Sequence, residues 1–166
     1  MKRLLIICLI LSSSSFASEE LVKEYTKACN NGKMNTCLSL AHMYIFGKGI
    51  EKNISKGNKL YLKACNGGEM KACAELGEQY SRGIRFKQDI VKGKYFRTKA
   101  CNGGEATTCV ILGMSYEQGD GVRQDKRKAK ELYGKGCDLG SVPGCKFYKR
   151  LNKAESVLNS VSSHQM

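Results

Sequence analysis

Histidine is scarce in this 166-residue chain, which has only His42 and His164, and no C-x-x-C spacing occurs. Those two absences exclude a zinc finger or a histidine-built hydrolytic zinc centre, and no metal site is expected. Proline is nearly missing: Pro143 stands alone, in the first turn of an expected helix, where the lost N–H costs nothing. No apolar run beyond Leu11 reaches the length of a membrane span, so the rest of the chain is expected to be soluble. Acidic residues are outnumbered 28 to 15 by Lys and Arg, for a formal net charge of +13. Such an excess favours acidic partners such as anionic glycans, membrane surfaces or acidic proteins. Its plainer consequence is a soluble cationic surface.

The first 17 residues read as a secretory signal. Lys2 and Arg3 supply the basic start, Leu4 to Leu11 the apolar stretch, and Ser15-Phe16-Ala17 the small-residue cleavage pattern before Ser18. Cys8 follows Ile7 rather than a small residue, so no lipid anchor is expected. Export argues against nucleic acid as a partner, and so does the even spread of the basic residues. Removing Cys8 from the nine cysteines leaves eight, and an even number in an exported chain implies disulfides.

Those eight cysteines reveal the organisation. Ala64-Cys65-Asn66-Gly67-Gly68-Glu69 with Cys73 returns as Ala100-Cys101-Asn102-Gly103-Gly104-Glu105 with Cys109. Looser copies carry Cys29 with Cys37 and Cys137 with Cys145, so both cysteine series step by 36 residues. A fixed period of this size marks a repeat array. Each unit splits into two helices. In the second, Asn53 caps a helix with Ile54, Gly57, Leu60, Tyr61, Ala64 and Cys65 on one face, Gly67 and Gly68 stop it, and Ala72, Cys73, Leu76, Gly77 and Tyr80 line the next. Asp89 and Asp125 cap the corresponding helices of the third and fourth units, where Ile90, Gly93, Phe96 and Ala100 form the third unit's inward face. Gly77 and Gly113 recur mid-helix, where glycine costs about 1 kcal/mol, which implies a close helix crossing. Antiparallel helices joined by a short turn bring each cysteine pair together: Cys29–Cys37, Cys65–Cys73, Cys101–Cys109 and Cys137–Cys145. Closing such a loop contributes roughly 2–3 kcal/mol in the chain-entropy model.

The expected fold is therefore all-α, about four disulfide-stapled helix pairs over residues 18–152, in units of about 18–53, 54–89, 90–125 and 126–152. A capping helix and a frayed tail are expected over residues 153–166.

The Ala-Cys-Asn-Gly-Gly block, the cysteine eight residues on, Leu-Gly-x-x-Tyr and Gly-x-Gly-Val-x-x-Asp together resemble Sel1-like repeats. The cysteine pair in every unit is similar to the Helicobacter cysteine-rich proteins. The resemblance implies an α/α right-handed superhelix related to tetratricopeptide repeats, in a periplasmic or secreted protein. It also implies penicillin binding with a weak β-lactamase activity. The serine chemistry for that is missing, because no serine has a lysine three residues on and neither S-D-N nor K-T-G occurs.

A groove on the concave face, lined by the first helices, is the better candidate site. By analogy with tetratricopeptide repeats, Asn30, Asn58, Asn66, Lys94, Asn102 and Lys130 lie on it. The carboxamides of Asn30, Asn66 and Asn102 can hydrogen-bond an extended peptide, and Lys94 and Lys130 can take a carboxylate. Capping of the helix ends is the competing role of the asparagines. The expected ligand is a peptide or a cell-wall-like, β-lactam-like molecule, with no cofactor and a monomeric chain. The alternative is a non-enzymatic scaffold for a protein partner. His42 stands where later units place Glu78 and Met114, so it reads as half-packed or solvated. Tyr44, Tyr80 and Tyr116 read as packing, and Asp120 as a turn residue rather than a calcium ligand.

Overall fold

The structure is a computed structural model and describes residues 19–163, so the signal at residues 1–17 and the last residues of the tail lie outside the described residues. Its helices are α1 (residues 19–30), α2 (Met34–Phe46), α3 (Ile54–Asn66), α4 (Met70–Arg82), α5 (Ile90–Asn102), α6 (Ala106–Gln118), α7 (Lys126–Asp138) and α8 (Val142–Ser163), with no strand among the described residues. The starts of α3, α5 and α7 step by 36 residues, as do those of α2, α4, α6 and α8. This is the all-α helix-pair solenoid that the cysteine period implies. The chain divides into two compact units, residues 1–72 and residues 73–166.

The local signals repeat as faithfully as the helices. Asn53, Asp89 and Asp125 each take an extended conformation and accept from the backbone N–H three residues on, at 2.9 Å. Each cap also donates its own N–H to the carbonyl of Tyr44, Tyr80 or Tyr116, at 2.8, 2.9 and 2.8 Å. Those bonds tie the end of one helix to the start of the next, leaving few orphan backbone groups at the corner. Of the two glycines that stop α3, only the second needs the left-handed region: Gly67 has φ −80° and Gly68 φ +97°. The fourth unit can therefore place Leu139 at the first position, with φ −84°, while Gly140 at the second keeps φ +88°.

In the first unit, Leu40, Ala41 and Ile45 of α2 meet Tyr61 and Ala64 of α3 in the core. A Cβ on Gly57 would lie 2.5 Å from Ile45, so only glycine lets these helices approach. In the second unit the expected close crossings are present. Gly77 faces the Gly93 carbonyl and Arg97, and Gly113 receives the ring of Tyr133. Cys101, Cys109, Leu112 and Leu132 form one buried cluster, and Val110, Ala129 and Tyr133 another, sealed by Tyr116, Phe147 and Leu151. Two expectations fail: Ile54 and Ile90 were placed on the inward face but are 39% and 44% exposed. Each is the first residue of its helix, and Ile90 lies against the loop at Gly121, where a Cβ would be 2.7 Å from it. The boundary expected after residue 152 also falls inside a helix, because α8 runs unbroken for 22 residues where α2 to α7 have 13 each.

Cys29–Cys37, Cys101–Cys109 and Cys137–Cys145 are bonded across Cα–Cα distances of 4.7, 4.7 and 4.4 Å. Cys65 and Cys73 are disulfide-bonded too. The bridges differ in exposure: Cys29, Cys37, Cys101 and Cys109 are at most 1% exposed, while Cys137 and Cys145 are half-buried. Thiolate attack needs access to sulfur. Brief treatment with a mild reductant in native buffer, then alkylation and mass spectrometry, is therefore expected to label Cys137 and Cys145 about tenfold faster than Cys101 and Cys109. The close crossing gives a second expectation. Gly113→Ala places a Cβ 2.8 Å from the Tyr133 ring and should cost about 1–3 kcal/mol in urea denaturation.

Candidate functional site

The residues expected on the groove have separate fates. Asn30 and Asn102 end α1 and α5, and each carboxamide oxygen accepts from a lysine 33 positions on: Lys63 Nζ to Asn30 and Lys135 Nζ to Asn102, both at 2.8 Å. The first helices of successive units are thus laced together, and these asparagine oxygens are committed to the scaffold rather than open to a peptide. Asn66, at the same place in α3, is engaged as well. Asn58 is not a groove residue: it is 8% exposed, and its Oδ1 has no protein partner. It replaces the lysine of later units where α3 is more deeply covered.

Lys94 is exposed on α5, with Val91 one turn before it and Tyr95 next to it in sequence. Val91 and Tyr95 are 75% and 60% exposed, one helical turn apart. Lys130 is the expected residue that reaches a cavity. Its ammonium pairs with the Glu155 carboxylate of α8 and lies over the ring of Tyr148, 5.9 Å from the centroid. The Lys130 hydrogen bond, with its charge and that of Arg127, holds the Glu155 carboxyl below the usual carboxylate range. The cavity between α7 and α8 encloses about 830 Å³ and is lined by both charged and apolar groups, among them Lys126, Arg127, Gly134, Asp138 and Leu151.

The tyrosines pack, as expected. Tyr80 stacks on Phe86 and Phe96 at 4.2 and 5.7 Å, and Lys56 and Lys92 cover Tyr44 and Tyr80 at 5.3 and 5.5 Å. His42 is half-packed between Phe46 and Tyr61, 6.1 and 5.5 Å away.

Sequence reasoning missed two constellations: Lys130 with Glu155 and Tyr148, and a polar chain that runs from the buried Tyr133 to the surface. In the chain, the hydroxyl of Tyr133 donates to Glu117 at 2.8 Å, and Arg150 donates to both Glu117 oxygens at 2.6 Å while lying over Phe147. The available signal was a break in the period, because Glu117 and Arg150 stand where the preceding unit has Ser81 and Met114. Burial, the Glu117 hydrogen bond and its negative charge push the Tyr133 phenol far above its ordinary value. A group whose pKa is raised by folding stabilises the native state below its unfolded pKa and loses that contribution as pH rises through the folded value. Ultraviolet titration should thus show Tyr133 silent at the ordinary tyrosine pKa of about 10, with stability falling as pH rises above that value. Tyr133→Phe should remove that alkaline-resistant step.

A family model described as Sel1 repeat matches residues 36–69, 71–105 and 108–141. The fold is similar to a Sel1 repeat protein from Oxalobacter formigenes, with TM-score 0.71 and 26% identity over 77% of this chain and 96% of that one. It is also similar to Helicobacter pylori cysteine rich protein B, with TM-score 0.63 and 30% identity over 80% and 95% of the two chains. The protective antigen c5321 of uropathogenic Escherichia coli, which displays an SLR fold, gives TM-score 0.68 and 23% identity over 74% of this chain and 26% of its own. A search of curated protein sequences finds no match.

Proposed function

The chain belongs to the Sel1 repeat family, and from that premise we propose that it is an exported, non-catalytic scaffold holding a peptide segment of a partner on the outer face of its first-of-pair helices. Disulfides of this number form and persist in oxidising compartments, which agrees with the likeness to Helicobacter pylori cysteine rich protein B. The observation that carries the reading is the pair Val91 and Tyr95 on α5, exposed beside Lys94. An exposed tyrosine on a rigid helix is of the side-chain type enriched among interface anchors, and Val91 and Lys94 extend the apolar and cationic surface beside it. The net charge of +13 favours an acidic segment and speeds its encounter.

A β-lactam carries a carboxylate and mimics an acyl-D-Ala-D-Ala peptide, so in this reading it is a ligand and not a substrate. No serine has the lysine that an acylating site needs, and among the described residues no group of His, Cys, Asp and Glu could hold a metal. Two measurements test the proposal. Fluorescence anisotropy with a labelled acidic, leucine-bearing peptide is expected to show saturable binding that Val91→Glu and Tyr95→Ala each weaken about tenfold with unchanged thermal melting. Unaltered affinity in both variants would reject the proposed face. Purified protein is expected to hydrolyse a chromogenic cephalosporin no faster than buffer, and turnover abolished by a single substitution would restore the enzyme reading.

A further inference from the structure

Helix α8 departs from α4 and α6 at the positions that receive the following helix. In α6, Leu112 clusters with Leu132 of α7, and Gly113 admits the Tyr133 ring where a Cβ would be 2.8 Å away. Thirty-six residues on, α8 carries Tyr148 and Lys149 in their places. An exposed lysine at the position held by Ala41, Gly77 and Gly113 in the earlier pairs leaves no seat for another closely packed repeat helix. The outer side of the last pair therefore keeps its cavity of about 830 Å³, inside the usual range for ligand sites.

The charges in it are unevenly satisfied. Glu131 is paired with Lys128, and Lys135 is committed to Asn102. Lys126 and Arg127, at the N-terminal end of α7 beside the capping Asp125, form no salt bridge among the described residues, and the charge of Arg127 acts on Glu155. Asp138 faces the cavity at the far end of the same helix. Into the basic end reaches one carboxylate, that of Glu155, 25 residues away from Lys130 and 60% exposed. A carboxylate held by Lys130 over Tyr148, in an open cavity with apolar walls at Leu151 and Ala154, shows what this site accepts.

We propose that the α7–α8 cavity is a carboxylate-binding subsite and that Glu155 fills it as an internal stand-in. A peptide carboxylate, from an acidic side chain or a chain terminus, displaces Glu155 at Lys130 and lays its neighbouring apolar group on Tyr148 and Leu151. This rests on the scaffold reading and adds the anchor for the charge. Displacing Glu155 costs little, because an ion pair whose carboxylate is 60% exposed contributes little to stability.

The test uses the whole chain and two labelled peptides. One has alternating glutamate and leucine with an amidated end; the other has neutral residues and a free carboxylate. Glu155→Gln is expected to tighten binding about two- to fivefold for whichever peptide carries the matching carboxylate. Lys130→Gln should weaken it and cancel the gain in the double variant, a coupling that an unrelated structural effect would not produce. Amide chemical shifts of Gly134 and Ala154 should move on titration. If Glu155→Gln leaves both affinities unchanged and those amides stay still, while Val91→Glu and Tyr95→Ala still weaken binding, the subsite is refuted and the scaffold remains. If none of the four variants changes affinity, both are refuted.

Discussion

Every helix inside this array is held by two unlike contacts. On one side a sulfur bridge closes a short glycine turn, as at Cys101–Cys109 between α5 and α6. On the other a glycine lets two helices touch, as Gly113 admits Tyr133 between α6 and α7. A repeat contacts only its neighbours and cannot build a deep core. Alternating a covalent tie with a close backbone approach supplies locally what a larger domain gains from volume. The bridges also belong to the packing, since Cys101 and Cys109 sit in the same buried cluster as Leu112 and Leu132.

The polar groups follow the same logic. Lysines 63 and 135 reach back one unit to the asparagines that end the preceding first helices. The cap N–H groups reach back to the tyrosine carbonyls, so the corner between units is closed by backbone bonds and covered by a lysine over the ring. A side chain that looks available for a ligand when one unit is considered alone is already occupied by the next unit. The recognition proposed above uses what these contacts leave out: the exposed Val91 and Tyr95 on α5, and the last pair, where Lys149 and the extended α8 end the pattern.

No serine carries a lysine three residues on, and among the described residues no group of His, Cys, Asp and Glu could hold a metal. A rigid, cationic, disulfide-stapled surface suits the proposed role of holding a peptide, because little of the scaffold has to order on binding.

The sequence alone determined the helix count per unit, the 36-residue step, the three side-chain caps and the partner of each cysteine. All of these depend on neighbours within a few turns of chain, and a repeat states them several times over. Tertiary structure decided which exposed-looking residues were free. Asn58 is buried, and Asn30 and Asn102 are spoken for by lysines 33 residues away. Glu155 meets Lys130 across two helices, and Ile54 and Ile90 turn outward despite their helical phase. Phase along one helix says which face a residue occupies. What covers that face depends on the next helix and its length, and no local pattern encodes that.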